Sequence, residues 1–229
     1  MKRRPIVALN SMLEVSISFA TPPADETRFP AAPQSEQKTV LHVGCGRASP
    51  HKLHSFFRGG QWREIRVDID RQVLPDIVAD ISDLSAFRDG CVDAIWSSHS
   101  LEHIHDHQVP VALREFRRIL KDDGLILVTM PDLESVAQLI VDGKAEDVAY
   151  QSPAGPITPL DMVFGHRRSI ENGNPFMAHK TGFTQHRLRR LLTEAGFARS
   201  MILRGRSLDL WAVGLMPGAS RLLLTAPFR

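Results

Sequence analysis

The sequence predicts an α/β fold built on a mostly parallel sheet that ends in an antiparallel hairpin, and three observations predict it. Strand-like and helix-like segments alternate from about residue 38 onward, the pattern that builds a parallel sheet with helices on its faces. The strand-like segments at 39–43, 63–67, 77–79, 92–97 and 125–130 are mostly short apolar runs, as suits strands covered on both sides. Two further runs, 198–204 and 208–215, are separated only by Gly205, Arg206 and Ser207, and so short a connection joins antiparallel neighbours.

The clearest helix is expected over 107–121. Val109, Leu113, Phe116, Ile119 and Leu120 recur there at helical spacing, while Arg114, Glu115, Arg117, Arg118 and Lys121 take the other face. Asp122-Asp123-Gly124 should stop it, with Gly124 suited to a left-handed cap. A second helix is expected over 185–195, carrying Leu188, Leu191 and Leu192 and ending at Gly196. A shorter one is expected near 51–57. Residues 143–183 contain Pro153, Pro156, Pro159 and Pro175 with little periodicity, and a stretch this long in a compact domain reads as a lid or substrate loop.

With 229 residues, the chain has room for one domain at roughly 100 to 200 residues each, here 38–229. Hydrophobic residues at 43% and charged residues at 24% exclude collagen-like, wholly disordered and disulfide-framework chains. A net charge of +2 and a pI near 8.7 call for no nucleic-acid partner or anionic membrane. Cys45 and Cys91 are the only cysteines and no CxxC pair exists, which suits a reducing, cytoplasmic location. No apolar run approaches the ~18 to 20 residues of a membrane span. Lys2, Arg3 and Arg4 precede a moderately apolar stretch, but Asn10, Glu14 and several serines interrupt it, unlike a secretory leader. Residues 1–37, proline-rich and polar toward their end, read as a flexible arm.

Leu41-His42-Val43-Gly44-Cys45-Gly46 is a strand running into a Gly-x-Gly turn. Glycines there let the backbone approach a ligand closely, and a helix after them would offer free N–H groups to an anion. The third glycine of a dinucleotide fingerprint is replaced by Ser49. Asp68 stands 24 residues beyond Gly44, at the end of the second strand, where a carboxylate can hold two vicinal ribose hydroxyls. Asp80 ends the third strand in the same manner, on the edge where open α/β sheets gather ligands.

Together these segments resemble the class I S-adenosylmethionine-dependent methyltransferases, in particular small-molecule enzymes related to those of quinone biosynthesis. The likeness extends through Asp93–Ile104, with its Leu101-Glu102-His103, and through Glu115-Phe116-Arg117-Arg118-Ile119-Leu120-Lys121-Asp122-Asp123-Gly124. It also takes in His179-Lys180-Thr181-Gly182-Phe183-Thr184 and Ala195-Gly196-Phe197. The resemblance implies a Rossmann-like class I methyltransferase fold and S-adenosylmethionine as cofactor. By it, Gly44, Cys45 and Gly46 would lie against the methionyl part, Asp68 would hold the ribose and Ile69 would pack on adenine. Asp80 and Ile81 would take the adenine edge, and Ser97 and Ser98 would border the sulfonium and the acceptor. The product would be S-adenosylhomocysteine. The acceptor would be a small molecule or glycan-like compound, and His166-Arg167-Arg168 with His179-Lys180 would suit an anionic one unless they are a solvated face.

His103 and His179 are the candidate general bases, with a structural role beside the cofactor the favoured reading for both. His99-Ser100-Leu101-Glu102-His103 also matches H-x-x-E-H, the inverted zinc-peptidase motif. That chemistry needs both histidines on one helix face, whereas this segment directly follows a strand, so no metal is assigned. Two other readings stay open: a non-catalytic cofactor-binding module of the same fold, and a nicotinamide-dependent oxidoreductase, which Ser49 disfavours.

Overall fold

The computed structural model describes residues 37–228. The expected flexible arm lies outside the described residues except for Gln37, whose Nε2 donates to Gly60 O at 2.7 Å. From there the chain forms β1 (Lys38–Val43), β2 (Trp62–Asp68), β3 (Ile77–Val78), β4 (Val92–Ser98), α1 (Val109–Ile119) and β5 (Leu120–Pro131). Next come α2 (Leu133–Val141), β6 (Tyr150–Ser152), β7 (Gly155–Ile157), α3 (Pro159–Phe164) and α4 (Arg167–Glu171). The chain closes with α5 (Gln185–Glu194), β8 (Arg199–Arg204), β9 (Asp209–Leu215) and two short 3₁₀ segments. None of the described helices is long and apolar enough to cross a membrane.

The main sheet has the order β3-β2-β1-β4-β5-β9-β8. The first five are parallel, and β9 runs antiparallel to both β5 and β8, so the expected fold class and terminal hairpin are present. Side chains alternate between two cores, as strand geometry requires. Leu41, Val43, Ile126 and Val128 face the larger core with α1 and α5, whereas Val40, Leu125, Leu127 and Val213 face the smaller one. That smaller core is covered by aromatic residues of the 3₁₀ turn Ser55–Phe57 and by Leu223 and Leu224 near the C-terminus.

Four expectations need correction. The helix expected near 51–57 is a turn followed by one 3₁₀ turn, Ser55–Phe57. Packing decides so short a segment: Leu53, Phe56 and Phe57 cluster with Trp62 and Trp96. The long helix expected over 107–121 is shorter, with residues 106–108 in a 3₁₀ turn and Leu120 already extended. Gly124 is not a left-handed cap: it lies within β5, where an added Cβ would stand 3.0 Å from both Asp93 O and Lys121 O. Its smallness accommodates a close backbone approach, not a positive φ. The stretch 143–183 holds a hairpin, two short α-helices and the 3₁₀ turn Pro175–Met177, with Thr158 and Asp161 forming a capping box at α3.

Candidate functional site

The strand order reverses direction between β1 and β4, and a cavity of about 890 Å³ opens at the carboxyl ends of these strands. Such a crevice is where parallel α/β sheets take ligands. Gly44, Cys45, Gly46, Asp68, Ile69, Asp80, Ile81, Ser98 and His103 all line it. Ser97 does not: it is 1% exposed and its Oγ has no hydrogen-bond partner. His179 stands behind His103, with ring centroids 4.8 Å apart, and lines a separate cavity of about 260 Å³.

The turn after β1 is built for close approach. Gly44 and Gly46 have φ of 61° and 59°, a region open to glycine at little cost. A Cβ on Gly44 would stand 2.1 Å from Ser100 Oγ, and one on Gly46 would stand 2.4 Å from Lys52 Nζ. Asp68 ties this turn to the next loop. Its Oδ2 accepts from Gly46 N–H at 2.7 Å and its Oδ1 from Asp70 N–H at 2.9 Å. Each oxygen keeps a second lone pair for a ligand hydroxyl. Ile69 beside it is 48% exposed. Asp80 uses Oδ1 to accept from the N–H and hydroxyl of Ser82, while Ile81 is buried. Between Gly44 and Gly46, burial pushes the Cys45 thiol up to about 11, so it remains protonated at neutral pH.

Residues that the sequence did not single out complete the walls. Lys52 lines the cavity, and none of the described residues forms a hydrogen bond or ion pair with its ammonium. His54 packs against Trp96 and Trp211, at centroid distances of 5.3 and 5.5 Å. Asn174, Phe176 and Met177, from the stretch 143–183, form another wall beside Lys180, which the sequence does offer to an anionic acceptor. Arg167 is not available to a ligand in the way expected, because its Nε donates to Asp161 Oδ1 at 3.0 Å.

His99 reaches the cleft with φ of 50°, and its Nδ1 lies 3.1 Å from Glu102 Oε1. Glu102, 1% exposed, sits in the 3₁₀ turn Leu101–His103. Burial alone would push its carboxyl up, yet His99, His103 and His179 outweigh that and hold it below the ordinary carboxylate value. His103 Nδ1 donates to Ala178 O at 3.1 Å and His179 Nδ1 to Met162 O at 2.8 Å. Because each Nδ1 faces a carbonyl, each must carry its proton there. Burial lowers the His179 pKa. The H-x-x-E-H residues do not form the helix that the inverted-peptidase reading needs: one 3₁₀ turn carries Glu102 and His103, and His99 lies outside it.

A family model described as a methyltransferase domain matches residues 41–128, from within β1 into β5. Solved structures with this architecture include the CurJ carbon methyltransferase, at TM-score 0.52 and 16% identity over 82% of this chain. The chain spans only 50% of that one. A complex of the Trm112 methyltransferase activator with a methyltransferase from Haloferax volcanii matches at TM-score 0.51 and 18% identity, covering 80% of this chain and 84% of that one. The fold is that of the class I methyltransferases. A methyltransferase from Archaeoglobus fulgidus, described as SAM-dependent, shares that fold at TM-score 0.50 and 15% identity, over 78% of this chain and 86% of that one. No curated protein sequence matches the chain. After Gly46 the chain forms a turn and one 3₁₀ turn in place of the helix that the sequence predicts, so it offers no helix N-terminus there of the kind that a dinucleotide pyrophosphate uses.

Proposed function

We propose that the chain transfers a methyl group from S-adenosylmethionine to a small-molecule acceptor, leaving S-adenosylhomocysteine. The observation that carries this reading is Asp68, fixed by Gly46 N–H and Asp70 N–H at the mouth of a roomy cleft. The cofactor fits the residues present. The positive-φ glycines leave space where side chains would collide with Ser100 and Lys52, Asp68 retains acceptor capacity for two hydroxyls, and exposed Ile69 offers an apolar surface to a base. Asp80, with only Oδ1 engaged, would accept from the adenine amino group. Lys52 would meet the methionyl carboxylate, a task that a helix N-terminus performs when one is present. Ser98 and His103 border the remaining space.

The cofactor supplies a methyl carbon already activated by positive sulfur. The chain's residues then contribute chiefly by holding the acceptor in line with it and excluding water. The aromatic wall of His54, Trp96 and Trp211 and the wall formed by Phe176 and Met177 suit a partly apolar acceptor, and Lys180 suits a negative group on it. The resemblance to quinone-biosynthesis enzymes supports the same acceptor class.

Calorimetric titration of cofactor-free protein with S-adenosylhomocysteine tests the reading, with NAD as the control ligand. Binding near 1 μM, about −8 kcal/mol, is expected for the first and none for the second. Absence of heat at several temperatures, in protein shown to be folded and empty, would sink it.

A further inference from the structure

We infer that Glu102, His103 and His179 form a binding site for a divalent transition-metal ion beside the methyl-transfer cleft. Each offers one ligand-type atom, and these atoms lie within 4.8 Å of one another. An ion ligated at about 2.0 to 2.2 Å would need only modest side-chain movement to gather them. Two imidazoles and one carboxylate form a donor set suited to zinc, iron or cobalt, with coordination positions left open.

The second observation is the state of Glu102. Its Oε1 is held by His99, yet Oε2 is buried without any hydrogen-bond partner, an arrangement that costs stability unless something positive meets it. Neither histidine supplies a proton in its neutral form. His103 and His179 both use Nδ1 as donor to a backbone carbonyl, which leaves each Nε2 as a lone pair. This is how metal-binding histidines are oriented from behind. His99 takes the corresponding place behind the carboxylate and is a positioning residue.

The backbone fixes these partners although they come from distant parts of the chain. Glu102 O accepts from Lys180 N–H at 2.8 Å, and His179 N–H donates to Phe164 O at 3.1 Å. Gly165 lets the end of α3 meet the segment after the 3₁₀ turn Pro175–Met177, since a Cβ there would stand 1.9 Å from Met177 O. His103 lines the cleft whereas Glu102 and His179 line the smaller cavity, so the ion would stand in the wall between them. The arrangement differs from the inverted-peptidase motif: Glu102 is a ligand and His99 is not. Binding of the ion does not depend on the methyl-transfer reading and can be measured without cofactor.

The test is titration of chelator-treated, tag-free protein with zinc chloride, read by competition with a chromophoric chelator. One tight equivalent is expected. Loss of an outer hydrogen-bond partner of a metal ligand costs roughly 10- to 100-fold in affinity, so His99→Ala should fall in that range. Glu102→Gln and His179→Ala should lose more than about 100-fold, while His107→Ala should change nothing. Zinc binding that survives both ligand substitutions places the ion elsewhere and overturns the site. Cobalt(II) added to the unmodified protein gives a reading that no folding defect can obscure. Visible bands of an imidazole-bound ion at one equivalent support the site, and the spectrum of aqueous cobalt overturns it.

Discussion

Asp68 does two jobs with one carboxylate, closing the turn after β1 through Gly46 and the loop after β2 through Asp70. Asp68→Ala should therefore weaken S-adenosylhomocysteine binding by about 1.5 to 3 kcal/mol, the scale of hydrogen bonds to a charged group, as read by calorimetry. Unchanged affinity in a folded variant would remove Asp68 from the site. Asp161 gives a second prediction at this scale. Burial pushes its carboxyl up, but hydrogen bonds from Thr158 and Arg167 outweigh that and hold it at about 2. A folded value below the ordinary one means that the stabilisation is present above the ordinary value and is lost as pH falls through about 2. Asp161→Asn should cost roughly 2 kcal/mol at pH 6 in urea unfolding, and the gap to wild type should close between about pH 4 and pH 2. Asp68 was legible in the sequence because strand end and spacing suffice to find it. The meeting of Glu102 with His179 was not, since no local period reports which distant loop folds back onto a turn.

The elements of the sheet were largely legible because buried parallel strands leave short apolar runs that few other structures produce. The segment after Gly46 was misread for an instructive reason. Leu53, Phe56 and Phe57 have helix-like spacing, yet their burial is satisfied by packing toward Trp62 and Trp96 across a single 3₁₀ turn. Tertiary contacts override propensity in so short a segment. Under the proposed function, the anion-binding duty passes from an element to the side chain of Lys52. Lys52→Ala should weaken S-adenosylhomocysteine by about 1 kcal/mol, the scale of a partly exposed ion pair. Because such a pair is screened, the difference between wild type and variant should shrink as salt is raised from 0.05 to 0.5 M, roughly the range over which screening sharpens. A salt-independent difference would assign the loss to the shape of the turn. The helix α1 keeps the apolar face that its spacing predicts, and Arg118 on its polar face is engaged by the protein. It bonds Glu115, Asp89 and the Leu84 and Phe87 carbonyls, and so holds the loop before β4 to the helix.

For the whole molecule, the cleft draws its walls from β1, β2 and β4, from the turn before Trp62 and from the stretch 143–183. A ligand that joins these parts should stabilise all of them together. At 100 times its dissociation constant, S-adenosylhomocysteine should add about 2.7 kcal/mol to the unfolding free energy, visible as a raised melting temperature, while NAD should leave it unchanged. The fold class was legible at this scale because alternation of elements constrains topology strongly. The acceptor was not, because Phe176 and Met177, which the proposed function gives to its wall, lie in a segment without periodicity, where irregular loops set specificity. The buried thiol of Cys45 has a practical consequence. With a pKa of about 11 and 1% exposure, only roughly one molecule in ten thousand carries a thiolate at pH 7. The turn after β1 is thereby shielded from oxidants and alkylating reagents, so iodoacetamide should leave S-adenosylhomocysteine affinity intact even though a sulfur atom sits at the heart of the turn.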